Sequence, residues 1–159
     1  MRTGYEPESD FLKAVVAEEM LLSGSERAEE NLRRVIVLTR DDNLSNRDWA
    51  TFLLAQEPVD TPLVRAALIS AAGDDDSIVR AEAVLGLAKR DVKLALPLVQ
   101  QALRADTVAI PMLEAAVVCA HPSLIPDLRI WAEPSADWFA DDVAAEALAA
   151  CERAAPDSR

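Results

Sequence analysis

The side chains of this sequence best suited to chemistry are His121, Cys119 and Cys151. His121 is the only histidine and stands directly before Pro122. A metal centre or catalytic dyad needs further ligands or a paired base converging on it. The local sequence offers a turn instead, where an imidazole ends a helix or sits in the field of its C-terminus. Cys119 and Cys151 lie in apolar helical surroundings, as small core residues in a reducing compartment do. A disulfide between them stays open on cysteine count alone. No Ser or Cys falls in a nucleophile-elbow or dithiol motif, and no glycine-rich phosphate loop occurs. These residues therefore predict no catalytic, cofactor or metal site.

The elements that carry them form a repeat. Residues 79–88, VRAEAVLGLA, align with residues 46–55, placing Arg80 on Arg47, Ala83 on Ala50, Leu87 on Leu54 and Ala88 on Ala55. The next copy, 111–120, sets Glu114 and Ala115 in the places of Glu82 and Ala83. The last, 143–152, sets Glu146, Ala147 and Cys151 in those of Glu114, Ala115 and Cys119. One position is small in every copy: Ala50, Ala83, Ala115 and Ala147.

The intervening stretches also have helical periodicity. Residues 61–72 put Val64, Ala67, Leu68 and Ala71 on one face. Residues 94–104 do so with Leu96, Val99, Ala102 and Leu103, and residues 124–132 with Leu124, Leu128 and Trp131. Pro62, Pro97 and Pro126 are expected in the first turn of their helices, where a missing N–H costs nothing. Asp-rich turns at 40–43 and 73–76 supply carboxylates to the helix N-termini that follow. Ahead of them, residues 10–22, with Phe11, Leu12, Val15, Leu21 and Leu22, and residues 26–39, with Ala28, Leu32, Val35, Ile36 and Leu38, read as two helices of a degenerate first repeat.

The expected fold is therefore an all-α solenoid, a superhelix of antiparallel helix pairs. Within a single domain, 1–40 form an N-terminal cap, 41–104 the clear repeats, and 105–159 diverged repeats and a C-terminal cap, with frayed ends at 1–8 and 154–159. Composition agrees: 51% of residues are hydrophobic but only 4% aromatic, so the apolar content is mostly Ala, Leu and Val, which favours closely packed helices.

The stretch Asp74-Asp75-Asp76-Ser77-Ile78-Val79-Arg80-Ala81-Glu82-Ala83-Val84-Leu85-Gly86-Leu87-Ala88, followed by Ala95-Leu96-Pro97-Leu98 and Ala102-Leu103, resembles a HEAT repeat. It is closest to the short variety of the phycobilisome-lyase-type proteins, and Asn46-Arg47-Asp48-Trp49-Ala50-Thr51-Phe52 resembles a diverged copy. The resemblance is specific over 41–104 and weaker over 105–152, where Met112 and Ala144 replace Arg80. It implies a right-handed superhelix and a protein-binding role. Some bilin lyases use such repeats, which implies a small-ligand enzyme as the alternative.

Three side-chain groups have both a structural and a functional reading. Arg47 and Arg80 recur with the acidic turns, so each is expected to pair with a turn carboxylate such as Asp41 or Asp74 and tie one repeat to the next; a basic binding ridge is the alternative. Glu82, Glu114 and Glu146 form a column whose stacking at about 10 Å is too wide for a shared proton or a single metal. They read as a solvated ridge, or as an acidic track for a basic partner. Trp131, Trp138 and Phe139 read as a plug closing the last repeat, or as an exposed anchor.

The formal net charge of −12 opposes nucleic-acid binding, which needs a surplus of Lys and Arg, and docking on anionic lipid. Neither a signal peptide nor a transmembrane stretch is apparent, which points to a cytoplasmic protein. The expected function is a protein-binding adaptor or scaffold without enzymatic activity, taking a protein partner that is basic; an immunity protein against a basic toxin is a special case. Second helices of HEAT pairs line the concave side, which makes Arg65, Gln100, Gln101, Arg104 and Arg129 the expected partner-binding residues.

Overall fold

The computed structural model describes residues 5–156, and all regular structure among them is helical. Chain packing divides the described residues into two compact units that meet between Ala83 and Val84, with the boundary inside one helix. The described residues thus adopt an all-α helical-repeat fold.

The first unit contains α1 (Asp10–Val16), α2 (Glu26–Leu38), α3 (Leu44–Gln56), α4 (Pro62–Ala71) and the start of α5 (Ser77–Ala88). Each helix begins where a short polar side chain satisfies its free amides: Ser9, Ser25, Asn43 and Thr61 for α1 to α4, and Asp76, whose Oδ1 accepts from Ile78 and Val79, for α5. α3 packs on α1, α2 and α4. Val64, Ala67, Leu68 and Ala71, the apolar stripe read from spacing, are all buried on α4.

The second unit completes α5 and adds α6 (Val92–Ala102), α7 (Ile110–Cys119), a 3-10 turn (Pro122–Leu124), α8 (Ile125–Trp131) and α9 (Trp138–Ala154). α9 packs on α7, α8 and the 3-10 turn, and α6 on α7. Leu113, Leu124 and Leu128 are buried, together with Ala144, Ala147 and Cys151 along α9. The small position of the repeat holds throughout: Ala50, Ala83, Ala115 and Ala147 are each 0% exposed. A methyl side chain there allows the close approach of neighbouring helices that a longer one would block.

Several expectations are corrected. The first helix stops at Val16 rather than at residue 22. Glu18 follows with φ of 59° and Gly24 with φ of 101°, and the buried Asn31 donates its Nδ2 to Leu21 O at 3.0 Å, holding this irregular stretch. Pro97 lies inside α6 rather than in its first turn, so the Lys93 carbonyl loses its helical donor. Residues 7–9 are not frayed: Pro7 is buried, Glu8 N–H donates to Ser45 Oγ at 3.2 Å, and Ser9 N–H donates to Asn46 Oδ1 at 2.8 Å. At the other end Ala154 still belongs to α9, and the part of the frayed-end expectation at 1–4 and 157–159 lies outside the described residues.

Candidate interaction surfaces

Arg47 is held from two sides. Its Nε and Nη2 donate to the Asp74 carboxylate at 3.0 and 3.3 Å, and its Nη1 donates to the carbonyls of Asp41 and Asp42 at 3.1 and 3.3 Å. The bond to Asp74 raises the guanidinium pKa above its ordinary value, against the opposing effect of burial. Arg80 repeats half of this pattern. Its Nη1 donates to the carbonyls of Asp74 and Asp75 at 2.7 and 2.9 Å, but among the described residues it takes no turn carboxylate. The expected tie between repeats is therefore present at Arg47 and corrected at Arg80, which braces only the turn before its own helix.

The glutamate column does not form a solvated ridge. Glu82 is 4% exposed, whereas Glu114 is half-buried and Glu146 exposed. Equivalent repeat positions thus meet different surroundings, and of the three only Glu146 is exposed.

The expected partner-binding residues divide between the units. Arg65 is half-buried on α4 and grips Asp60 with Nε and Nη2 at 2.7 and 2.8 Å. In the second unit, Gln100 Nε2 donates to Ser123 Oγ at 2.8 Å and Arg104 Nε to Asp127 Oδ2 at 3.4 Å. Gln100 and Arg104 are four apart, as are Ser123 and Asp127, so the two bonds make successive rungs from the α6 end to the 3-10 turn and to α8. Arg129 reaches Glu152 on α9 at 3.6 Å, and Gln101 is exposed. The structure brings Gln100, Arg104 and Arg129 into contact with neighbouring helices. Each of the three arginines carries a carboxylate partner, which lowers the positive field that they offer a ligand.

His121 accepts the Ser123 N–H through Nδ1 at 3.2 Å and caps the 3-10 turn, as a turn residue. Cys119 and Cys151 are both free and buried. Burial, and then the neighbouring Cys151, push the Cys119 thiol up to about 11. Burial also raises Cys151, partly offset by a hydrogen bond from the His121 backbone. Thiols held protonated in this way are poor nucleophiles and poor metal ligands. Among the described residues, no group of three or more His, Cys, Asp or Glu side chains is placed to hold a metal ion. No helix among them is long and apolar enough to cross a membrane.

The three C-terminal aromatics separate. Trp131 is half-buried and donates Nε1 to Leu103 O at 2.8 Å, closing the end of α6. Trp138 and Phe139 are 71% and 48% exposed, so the plug reading is corrected for this pair.

Other exposed apolar side chains escaped the sequence reading. Val37 and Leu63 line an open cleft of about 360 Å³ with Ile36, Arg40, Ala66 and Ala67. A second cleft, of about 530 Å³, lies between the stretch after α1 and α2, with Arg27, Asn31 and Arg34 on its wall. Val37 falls off the buried stripe of Ala28, Leu32 and Val35, and that off-stripe position is the signal by which sequence could have found it.

No family model matches the chain, and no curated protein matches it. Among solved structures it is similar to the Escherichia coli protein YibA, with a TM-score of 0.63 and 23% sequence identity over 89% of this chain. The chain spans 55% of the length of that protein. The likeness is one of fold.

Proposed function

We propose that this chain is a HEAT-type repeat protein that binds a protein partner as an adaptor or scaffold and performs no catalysis. The observation that supports this is the set of large apolar side chains that the helices hold in solvent. Val37, Ile130 and Trp138 are 71%, 67% and 71% exposed, each on a helix whose opposite face is buried. Scattered exposed apolar residues are ordinary on a surface, but aromatic ones fixed on a rigid element mark binding positions. The helical-repeat fold fits, because such folds present extended surfaces built from successive helices. Gln101, Arg104 and Arg129 belong to the polar surface of the second unit, and Arg65 to that of the first.

The test is affinity capture with the tagged chain in its native host, followed by mass spectrometry and reconstitution from purified components. A stoichiometric complex that reassembles from the two pure proteins is expected. Turnover of a small molecule by the chain alone, with no protein partner recovered, would overturn the reading.

A further inference from the structure

The outward face of α9 sets an aromatic pair above unpaired carboxylates. Trp138 and Phe139 open the helix with their rings edge to face, centroids 5.9 Å apart at 86°. Their backbone is fixed from both sides. Asp137 Oδ1 accepts the Ala140 N–H at 3.0 Å, and the Asp141 carboxylate accepts both the N–H and the O–H of Ser135 at 2.7 Å. The loop into α9 is thereby pinned, so the exposed rings bind without the cost of ordering a mobile segment.

Asp142 follows Trp138 by one turn on the same face, and Glu146 follows Asp142 by another; both are exposed, as is the small Ala145 between them. Like charges at this spacing oppose each other on a helix. Among the described residues neither carboxylate meets a cation. An exposed indole above two unneutralised carboxylates suits one chemistry: a guanidinium or ammonium that stacks on the ring while its charge faces the acids.

We propose that the Trp138–Phe139 face of α9 docks a cationic, arginine-bearing segment of a partner protein, with Asp142 and Glu146 receiving its charge. This rests on the protein-binding reading above and assigns it a place and a partner chemistry. The acids argue against the other occupants of an aromatic patch. A second copy would bring the same carboxylates face to face, and an anionic bilayer would be repelled.

The test uses the full chain and a short unstructured peptide of arginines interspersed with leucines, with its glutamate-for-arginine counterpart as control. Amide and indole NMR titration should shift the Trp138 indole and residues 138–146 first. Replacing both Trp138 and Phe139 with Ala should weaken binding at least about tenfold, as truncation of a hot-spot aromatic does. Because both side chains are exposed, the melting temperature should stay unchanged. Asp142→Asn with Glu146→Gln should weaken binding and flatten its salt dependence. Three results overturn the proposal: no saturable binding of the arginine peptide, shifts centred on the acidic turns at 41–43 and 73–76 with the aromatic variant binding as before, or a homodimer that the aromatic variant abolishes. If the captured partner still binds the aromatic variant at full affinity, this proposal fails while the protein-binding reading stands. If no partner exists, that reading fails first.

Discussion

The guanidinium of Arg47 grips both carboxylate oxygens of Asp74, at 3.0 and 3.3 Å, across 27 residues of sequence. The same arginine holds the two carbonyls at positions 41 and 42, and Arg80 holds those at 74 and 75, so each bonds the turn five and six residues before itself. Asp74 is thus where two successive braces meet: its carboxylate serves Arg47 and its carbonyl serves Arg80. A planar guanidinium with fixed donor directions can span two partners in this way, whereas an ammonium is a single point of charge.

Replacing Arg47 with Ala should therefore cost about 1–2 kcal/mol in urea unfolding, more than a typical surface ion pair, because the pair is bidentate and partly buried. Arg80→Ala should cost less, about 1 kcal/mol, since it loses carbonyl bonds alone. A double-mutant cycle of Arg47→Ala with Asp74→Ala should give a coupling of at least about 0.5 kcal/mol. Additive losses would show that the geometry contributes no pairwise energy.

The repeat position occupied by Ala50, Ala83, Ala115 and Ala147 is sealed from solvent, each residue being 0% exposed. Substituting Leu at any of them should destabilise the protein by about 1–3 kcal/mol through overpacking. The control is Ala66, exposed on α4, where Leu should change stability by less than about 0.5 kcal/mol. Thermal denaturation of the five variants decides the matter, and equal melting temperatures would refute the register.

That register, the four-residue stripe of α4 and the capping turns were legible because each is a local pattern whose spacing carries its meaning. Other features depended on tertiary surroundings. Nothing in Glu18-Glu19-Met20 predicts the end of α1 at Val16, because the irregular chain is held by Asn31, which lies on another helix. Glu82 and Glu146 share a repeat position yet one is buried and the other exposed, since position within a repeat fixes a direction and not what lies there. Of the candidate surface, the aromatic types and the acidic balance could be read from sequence. The exposure of Trp138 could not, because Trp131, only seven residues earlier, is drawn inward by the Leu103 carbonyl.

That bond makes Trp131 a sensitive site. Trp131→Phe keeps a ring but removes the indole N–H that reaches Leu103 O, and a part-buried carbonyl loses this donor. The expected cost is about 1–2 kcal/mol. Trp138→Phe removes an indole that is 71% exposed and should be neutral in the same denaturant titration. A reversed order would place the structural tryptophan wrongly.

The Cys119 thiol ties stability to alkaline pH. Burial lifts it from its ordinary 9.0 to about 11, so the folded state holds the proton that the unfolded state releases. The contribution is fully present below pH 9.0 and is lost as pH rises through about 11. Its size is about 2–3 kcal/mol, at about 1.4 kcal/mol for each pH unit between the two values. The difference in stability between wild type and Cys119→Ala should therefore narrow across that interval. A difference independent of pH would show that the thiol titrates alike in both states.

Pro97 should be the easiest place to gain stability. It sits at the sixth position of α6, a helix that runs from Val92 to Ala102, and it is exposed, so no packing would be lost by removing its ring. In a helix interior proline is about 3 kcal/mol less favourable than alanine, because it deletes a hydrogen bond and its ring crowds the carbonyl four residues back. Here that carbonyl belongs to Lys93. Two effects reduce the gain available. Proline restricts the unfolded chain, which is worth about 0.4–1 kcal/mol and is lost on substitution. A helix that accommodates a proline also bends to ease the clash, so less than the full penalty is recovered on substitution. Pro97→Ala should consequently stabilise the protein by about 1–2 kcal/mol in urea unfolding. The backbone amide that the substitution introduces should be protected from hydrogen exchange through its new bond to Lys93 O. An unprotected amide together with unchanged stability would mean that the helix is bent away at this point and that alanine does not restore it.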